Sequence, residues 1–305
     1  MKLNKTTLLA LLPACLLSFT AVKADKKDAP VSLTRVDLSN IGSQKGVMRR
    51  DPSDVIKVGD LFYIWYSKGP IKPGYDATVW YATSPDGLDW TEKGLSVAKG
   101  KKGEWDAYTG TSKDYSKGFK PDSKIGIAVS DSPDGPWERL ESNPVLKNSE
   151  NKEDFDSYLV DDACLIVRDN KYWFYYKGRQ VGKGPTHTQM GLAIAEKPEG
   201  PYIRHESNPV IPGNHEVVVW PQGTGVAALI GGVGPKEIQK SIQYAEDGIN
   251  FTKTHTMKDT PFAGGTYRPE AFTDSNEGTA PLWGVEIGKG PGLPFIQRFN
   301  INWPK

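Results

Sequence analysis

The chain of 305 residues has little cysteine: Cys15 and Cys164 are its only two. Cys15 lies in an N-terminal stretch that reads as an export signal. Its removal leaves one thiol, which excludes an intramolecular disulfide. Cys164 sits inside the apolar run ACLIV and reads as a small buried hydrophobe. Charge of either sign is also in no surplus. The net charge is +1, which implies neither a polyanion nor a membrane surface as partner. Turn-free windows are scarce, because 32 Gly and 23 Pro leave few stretches long enough for a helix, and a helical solenoid is excluded. A Gly-rich phosphate loop, a zinc-ligand spacing and a nucleophile elbow are all missing. Gly231–Pro235, GGVGP, is not flanked by a strand and a helix as a nucleotide loop requires, so it reads as a turn. There is no second core and no interdomain linker, and a closed β fold of this length commonly forms one domain.

The chain does have a charged start at Lys2 and Lys5, an apolar segment Leu8–Phe19 and a small-residue site at Val22-Lys23-Ala24. Residues 1–24 are therefore expected to be a signal peptide, and the protein to be periplasmic or secreted. Leu12-Pro-Ala-Cys15 loosely resembles a lipoprotein box, but the apolar run continues past it to Val22. Residues 25–47 read as an N-terminal extension and 48–305 as the main domain.

The most informative segment is Met48–Asp54, MRRDPSD, which opens the run VIKVGDLFYIWYSKGP. Alternating apolar residues on both sides of Gly59-Asp60 read as two antiparallel strands joined by a tight turn. The pattern returns at Asp161–Lys177, DDACLIVRDNKYWFYYK. Aligning the turn Gly59-Asp60 with Asp169-Asn170 sets Asp161 opposite Asp51. Shorter units, a strand followed by an acidic-Gly turn and an aromatic, recur at Tyr81–Trp90, Ile127–Trp137, Leu192–Tyr202 and Ile242–Phe251, and ESNPV occurs twice. Such self-similarity predicts an all-β fold, a five-bladed β-propeller. One unit is short: Trp90 to Trp137 is 47 residues, whereas Trp137 to Tyr202 is 65. Blade two is thus expected to lack its inner hairpin and to keep only outer strands, Lys124–Val129 and a short strand after Gly135.

Three acidic sites stand at strand starts: Asp51, the pair Asp161-Asp162, and Glu216 beside His215. The innermost strands of a propeller surround its axis, so these carboxylates are expected to converge at one end of the channel. Glycosidic hydrolysis needs such a set, with one carboxylate to activate water, a protonated group to serve the leaving oxygen, and often a third to tune that donor. By alternation Asp54 and Asp162 should point away from the axis, which favours Asp161 over Asp162. Either Glu216 or His215 is the candidate donor. Arg50 and Arg179 are candidate ligands of sugar hydroxyls, and Trp80 and Trp220 are candidate stacking platforms. Loop-borne His187 is a weaker candidate, while His205 and His255 read as surface residues. No metal-ligand cluster and no cofactor motif is legible, although a cation at the axis would suit a propeller.

Together RRDPSDVIKVGDLFYIWYSK, YDATVWYATSPDGLDWTE, WDA, IGIAVSDSPDGPW, DDACLIVRDNKYWFYYKGR and NHEVVVWPQGTG resemble five-bladed glycoside hydrolases related to family 43, and most closely family 117. The resemblance runs from Met48 to about Phe272. It implies an exo-α-1,3-(3,6-anhydro)-L-galactosidase acting on agar-derived neoagaro-oligosaccharides with inversion. Asp51 would be the general base, Asp161 or Asp162 the tuning carboxylate, and Glu216 or His215 the proton donor. The family's helical, protomer-swapping extension has no counterpart before Arg50, where Pro30 and Gly42 interrupt a short segment, and the oligomeric state stays open. A related glycosidase of other specificity, or an inactive sugar-binding propeller, are the alternatives.

Overall fold

The computed structural model describes residues 29–69, 77–101, 123–288, 290 and 292–304. The expected signal peptide, the Trp105-Asp106-Ala107 element and the place of blade two's inner strands all lie outside these residues. Among the described residues there is no α-helix, only the single 3₁₀ turn Pro185–His187.

The strands follow one another as antiparallel sheets. β1 (Ser32–Asp37) stands alone at first. Blade one is built from β2 (Met48–Arg50), β3 (Ile56–Val58), β4 (Leu61–Gly69), β5 (Thr78–Ser84) and β6 (Thr91–Val97). Its order is β2-β4-β5-β6, with β3 pairing β4 as the continuation of the innermost strand. Next come four short strands, β7 (Lys124–Ile125), β8 (Ala128–Val129), β9 (Glu138–Arg139) and β10 (Leu146–Lys147), paired as β7–β10 and β8–β9. A complete blade follows with β11 (Leu159–Arg168), β12 (Lys171–Arg179), β13 (Gln189–Ala195) and β14 (Ile203–Arg204). Another contains β15 (Val218–Gln222), β16 (Gly225–Ile230), β17 (Ser241–Ala245) and β18 (Thr252–Thr256). The closing blade holds β19 (Gly265–Thr266), β20 (Trp283–Gly288) and β21 (Phe295–Asn302), and takes β1 as its outermost strand. Ser32–Asp37, expected as part of an extension, is therefore integral to the propeller: it pairs with Gln297–Asn302 residue by residue.

The arrangement is a β-propeller with four complete blades. The expected count of five is not reached among the described residues, where blade two is represented by its two short ladders. Those ladders are outer strands. Asn143 accepts from the Ile127 N–H and donates to its carbonyl, both at 2.8 Å. Asn208 makes the same pair of bonds to Leu192, at 2.8 and 2.9 Å. This is the work of the repeated ESNPV motif: a planar amide closes the edge of the third strand where the chain leaves the ladder. Asn208→Ala would strand one backbone donor and one acceptor and is expected to cost about 1–3 kcal/mol in chemical denaturation, with Asn143→Ala similar.

Apolar packing between neighbouring sheets holds the ring together. Cys164, Tyr175 and Leu192 pack against Val219 and Ala228 between the second and third complete blades. Ile64, Tyr66 and Trp90 meet Val285 and Ile296 of the closing blade. Val218 and Leu229 meet Phe299 and Ile301, and Leu146 lies against Phe174 and Tyr176. Between blade one and the short ladders, Trp65 meets Trp137 edge-on at 5.6 Å and the Tyr81 hydroxyl donates to Asp134 at 3.2 Å. Burying large aromatics in this way supplies most of the stabilisation a propeller needs.

Near the axis, buried Arg268 donates to Asp54 at 2.7 Å and to the carbonyls of Leu165 at 2.8 Å and Val219 at 3.2 Å. Asp54 also accepts the Thr266 N–H at 2.9 Å. One guanidinium–carboxylate pair therefore pins four blades together, so Asp54 is a structural residue.

Candidate active site

Each of the three acidic sites sits at a kink in an innermost strand. Asp51 has φ 50°, Asp162 φ 46°, and Asn214, just before His215-Glu216, φ 83°. Non-glycine residues seldom adopt the left-handed region, and such strain gathers at functional sites. The first kink follows from the sequence DPSD. After Arg50 pairs with Ser67, the strand leaves the ladder, and Ser53 restores contact by accepting the Trp65 N–H on its hydroxyl at 3.0 Å. The second is a β-bulge between Asp161, paired with Lys177, and Cys164, paired with Tyr175. The third is held by buried Asn214, whose side chain accepts the N–H groups of His215 (3.1 Å) and Gly231 (3.0 Å) and donates to Leu229 O at 3.0 Å.

The bulges correct the expected register. Tyr175 stands where Trp65 stands, so Lys177 matches Ser67 and Asp161 matches Arg50. Asp162, not Asp161, is therefore the counterpart of Asp51, and both carry the same left-handed kink. Blade one's bulge holds one residue more than the bulge at Asp161–Cys164, so counting back from the turns misses by one.

Between the carboxylates lies a residue the sequence reading passed over. Lys177, 7% exposed, puts its ammonium 3.2 Å from Asp161 and in a shorter ion pair with Asp162. A lysine ending an aromatic strand, YWFYYK, opposite an Asp-Asp pair was the available signal. Burial opposes its charge, but Asp162, Asp161 and Glu216 outweigh that and hold the ammonium protonated, well above the ordinary lysine range. Its carboxylate neighbours keep 26–36% of their side chains exposed, so the site is open to solvent at its mouth. Lys177→Met would leave two adjacent carboxylates facing each other. It is expected to cost about 3 kcal/mol in chemical denaturation, the low end for a broken buried pair because the partners still reach water.

The carboxylates differ in proton affinity. Burial raises Asp51, against the pull of the Arg50 guanidinium 2.8 Å away. Asp161 is pushed up to about 7 by burial and then by the charge of Asp162. Glu216 is pushed up to about 8, again by burial first, then by Asp162, with Asp51 and Asp161 adding to the effect. His215 moves the other way, lowered by burial and by Lys177. Its Nδ1 is 3.4 Å from the Thr188 hydroxyl and its Nε2 is 3.9 Å from Glu216. Asp51, Asp161, Asp162 and Glu216 thus form one electrostatic unit around one ammonium.

The structure treats the expected substrate ligands unequally. Arg50 is the ion-pair partner of Asp51. Arg179 is buried, with its guanidinium 4.8 Å over the Tyr158 ring, and its charge acts on Asp161 and His215. Trp220 is not a platform: it is 1% exposed, packed into the core with its indole N–H on Gln222. Trp80 lies on β5, third strand out from the axis, with the Lys68 ammonium 3.8 Å over its ring. His187 is exposed on its loop, His205 accepts the Ser207 N–H at 3.1 Å, and His255 packs edge-on against Trp303.

A carboxylate set on innermost strands, in which burial and mutual charge push Glu216 up to about 8, suits glycosidic hydrolysis. The solved structure of Zg3597, a family 117 glycoside hydrolase from the marine bacterium Zobellia galactanivorans, superposes with a TM-score of 0.77. It is 28% identical, over 90% of this chain and 91% of that one. The chain is a glycoside hydrolase. The resemblance to family 117 stands in three dimensions as it does in the motifs. Two more distant structures share the fold. One is a glycoside hydrolase (14% identity, 92% and 93% coverage, TM-score 0.62) and the other is fructan 1-exohydrolase IIa from Cichorium intybus (11%, 84% and 56%, TM-score 0.55). No protein-family model and no curated protein matches the chain.

Proposed function

We propose that this glycoside hydrolase is exported, and that it releases 3,6-anhydro-L-galactose from the non-reducing end of neoagaro-oligosaccharides with inversion. The observation that supports this most is the gathering of Asp51, Asp161, Asp162 and Glu216 around Lys177, with Glu216 pushed up to about 8, combined with the likeness to a family 117 enzyme. In this reading Asp51, raised by burial and opposed in this by its Arg50 ion pair, takes a proton from water as that water attacks the anomeric carbon. Glu216, protonated at neutral pH, gives its proton to the departing glycosidic oxygen. Burial and then the charge of Asp162, itself ion-paired to Lys177, keep the Glu216 proton bound, and Asp161 adds to the effect. His215 is held neutral and fits a hydrogen-bonding role beside the donor, oriented by Thr188. The N-terminal sequence supports export, to the periplasm or beyond.

The test is incubation of the mature chain with neoagarobiose, followed by proton NMR from the first seconds. The expected result is free 3,6-anhydro-L-galactose and galactose, with the first-formed anomer inverted relative to the bond cleaved. Absence of cleavage, with cleavage of a different capped galactan, would move the specificity elsewhere within glycoside hydrolases.

A further inference from the structure

A cleft formed by the segments that flank the active-site residues of the second complete blade is not used by the mechanism. It encloses about 600 Å³ and is built from the segment before β11, the β12–β13 loop, the start of β13 and the chain after β14. Along the chain its lining comes within one residue of the active site twice. Gln180 in its wall follows Arg179, whose charge acts on Asp161. His187 and Gln189 flank Thr188, whose hydroxyl meets His215 at 3.4 Å.

The cleft is preformed. Gln180 donates to the carbonyls of Lys152 and Glu153, each at 3.2 Å, and the Val181 N–H donates to the Ser157 hydroxyl at 3.1 Å, tying the two loops into one wall. Phe155, part of the lining, lies flat on β12 and β13 because both present glycine beneath it. A Cβ on Gly178 or on Gly191 would come within 2.4 Å of the ring. Behind the ring, fully buried Asp156 accepts from the Tyr176 hydroxyl at 2.8 Å and from Arg204 at 2.7 Å. The cleft therefore combines an aromatic surface with polar groups of both signs, Glu153, Asp154, Asp156 and Glu206 against Lys183 and Arg204, with Asp156 and Arg204 paired to each other. An anionic ligand would meet this excess of carboxylates. A neutral ring with apolar C–H faces and hydroxyls at its edge matches both features, and the volume lies in the range of small-ligand sites.

We propose that this cleft is a saccharide subsite that holds the leaving-group side of the oligosaccharide, from the second sugar unit beyond the bond that is cut. This rests on the reading of the central carboxylates as an exo-glycosidase site. There the terminal sugar sits at the axis, and the rest of the chain must exit across the rim.

Chain-length dependence tests it. The ratio of kcat/KM for neoagarotetraose to that for neoagarobiose is expected to be about fivefold or more in the wild type, the scale of one added ring contact. In His187→Ala and Gln189→Ala, and in Phe155→Ala where it folds, the ratio is expected to fall to about one. Calorimetric titration of neoagarotetraose should show at least fivefold weaker binding to the same rim variants, and this reading needs no turnover. A wild-type ratio near one, a ratio unchanged in all the variants, or variant binding equal to wild type would overturn the subsite. If neoagarobiose is not cleaved at all, the proposed reaction fails, and the titration alone decides the cleft.

Discussion

Asp51→Asn is expected to reduce turnover on neoagarobiose by at least about 10²-fold and up to about 10⁴-fold, with KM nearly unchanged. The substitution keeps the shape of the residue and removes only the charge that accepts the proton of water, and proton transfer by a positioned group contributes on this scale. The side chain does not hold the fold together. It is a third exposed, its ion-pair partner among the described residues is the neighbouring Arg50, and the kink at φ 50° tolerates Asn as well as Asp. A loss confined to kcat is the signature of an interaction made in the transition state alone. A rise in KM at unchanged kcat would instead mark Asp51 as a substrate ligand. More than about a tenth of the wild-type rate, with an unchanged pH profile, would pass the base role to Asp161 or Asp162.

Much of this site was legible because propeller blades repeat. The DPSD and DDA segments, the aromatic pairs Trp65-Tyr66 and Tyr175-Tyr176, and the double ESNPV each report a strand whose place is fixed by its copies. What the repeat could not show is where the copies differ. Bulge length is decided by local hydrogen bonding, such as the Ser53 hydroxyl on Trp65, so a one-residue difference displaced Asp162 from its true counterpart. Lys177 was hidden for a different reason: a lysine in a strand usually reaches solvent, and only the paired carboxylates of the adjacent strand make burial favourable. Trp220 shows the converse. Aromatic residues near a site look alike in sequence whether they face sugar or core, and the β15–β21 packing claims this one.

The proton donor is decided by comparing Glu216→Gln with His215→Asn on two substrates. On neoagarobiose, whose leaving sugar needs a proton, Glu216→Gln is expected to lose about 10²–10⁴-fold in kcat. On a nitrophenyl glycoside of the same sugar, whose leaving group departs unprotonated, that variant should recover to within about tenfold of wild type. His215→Asn should show the same modest loss on both. The pH profile adds a second check. Activity requires Asp51 ionised and Glu216 protonated, so the wild-type rate should rise on an acid limb above the ordinary aspartate range and fall on a basic limb near 8. In Glu216→Gln on the activated substrate the basic limb should vanish, since no proton remains to be lost. Stability carries the same sign. Glu216 and Asp161 bind protons more tightly folded than unfolded, so their contribution is full below about pH 4 and is lost as the pH rises through 7 to 8. The melting temperature of Glu216→Gln should therefore fall less between pH 6 and pH 9 than that of the wild type. Rescue of His215→Asn instead, with the basic limb intact in Glu216→Gln, would make the histidine the donor and leave Glu216 to hold the imidazole charged.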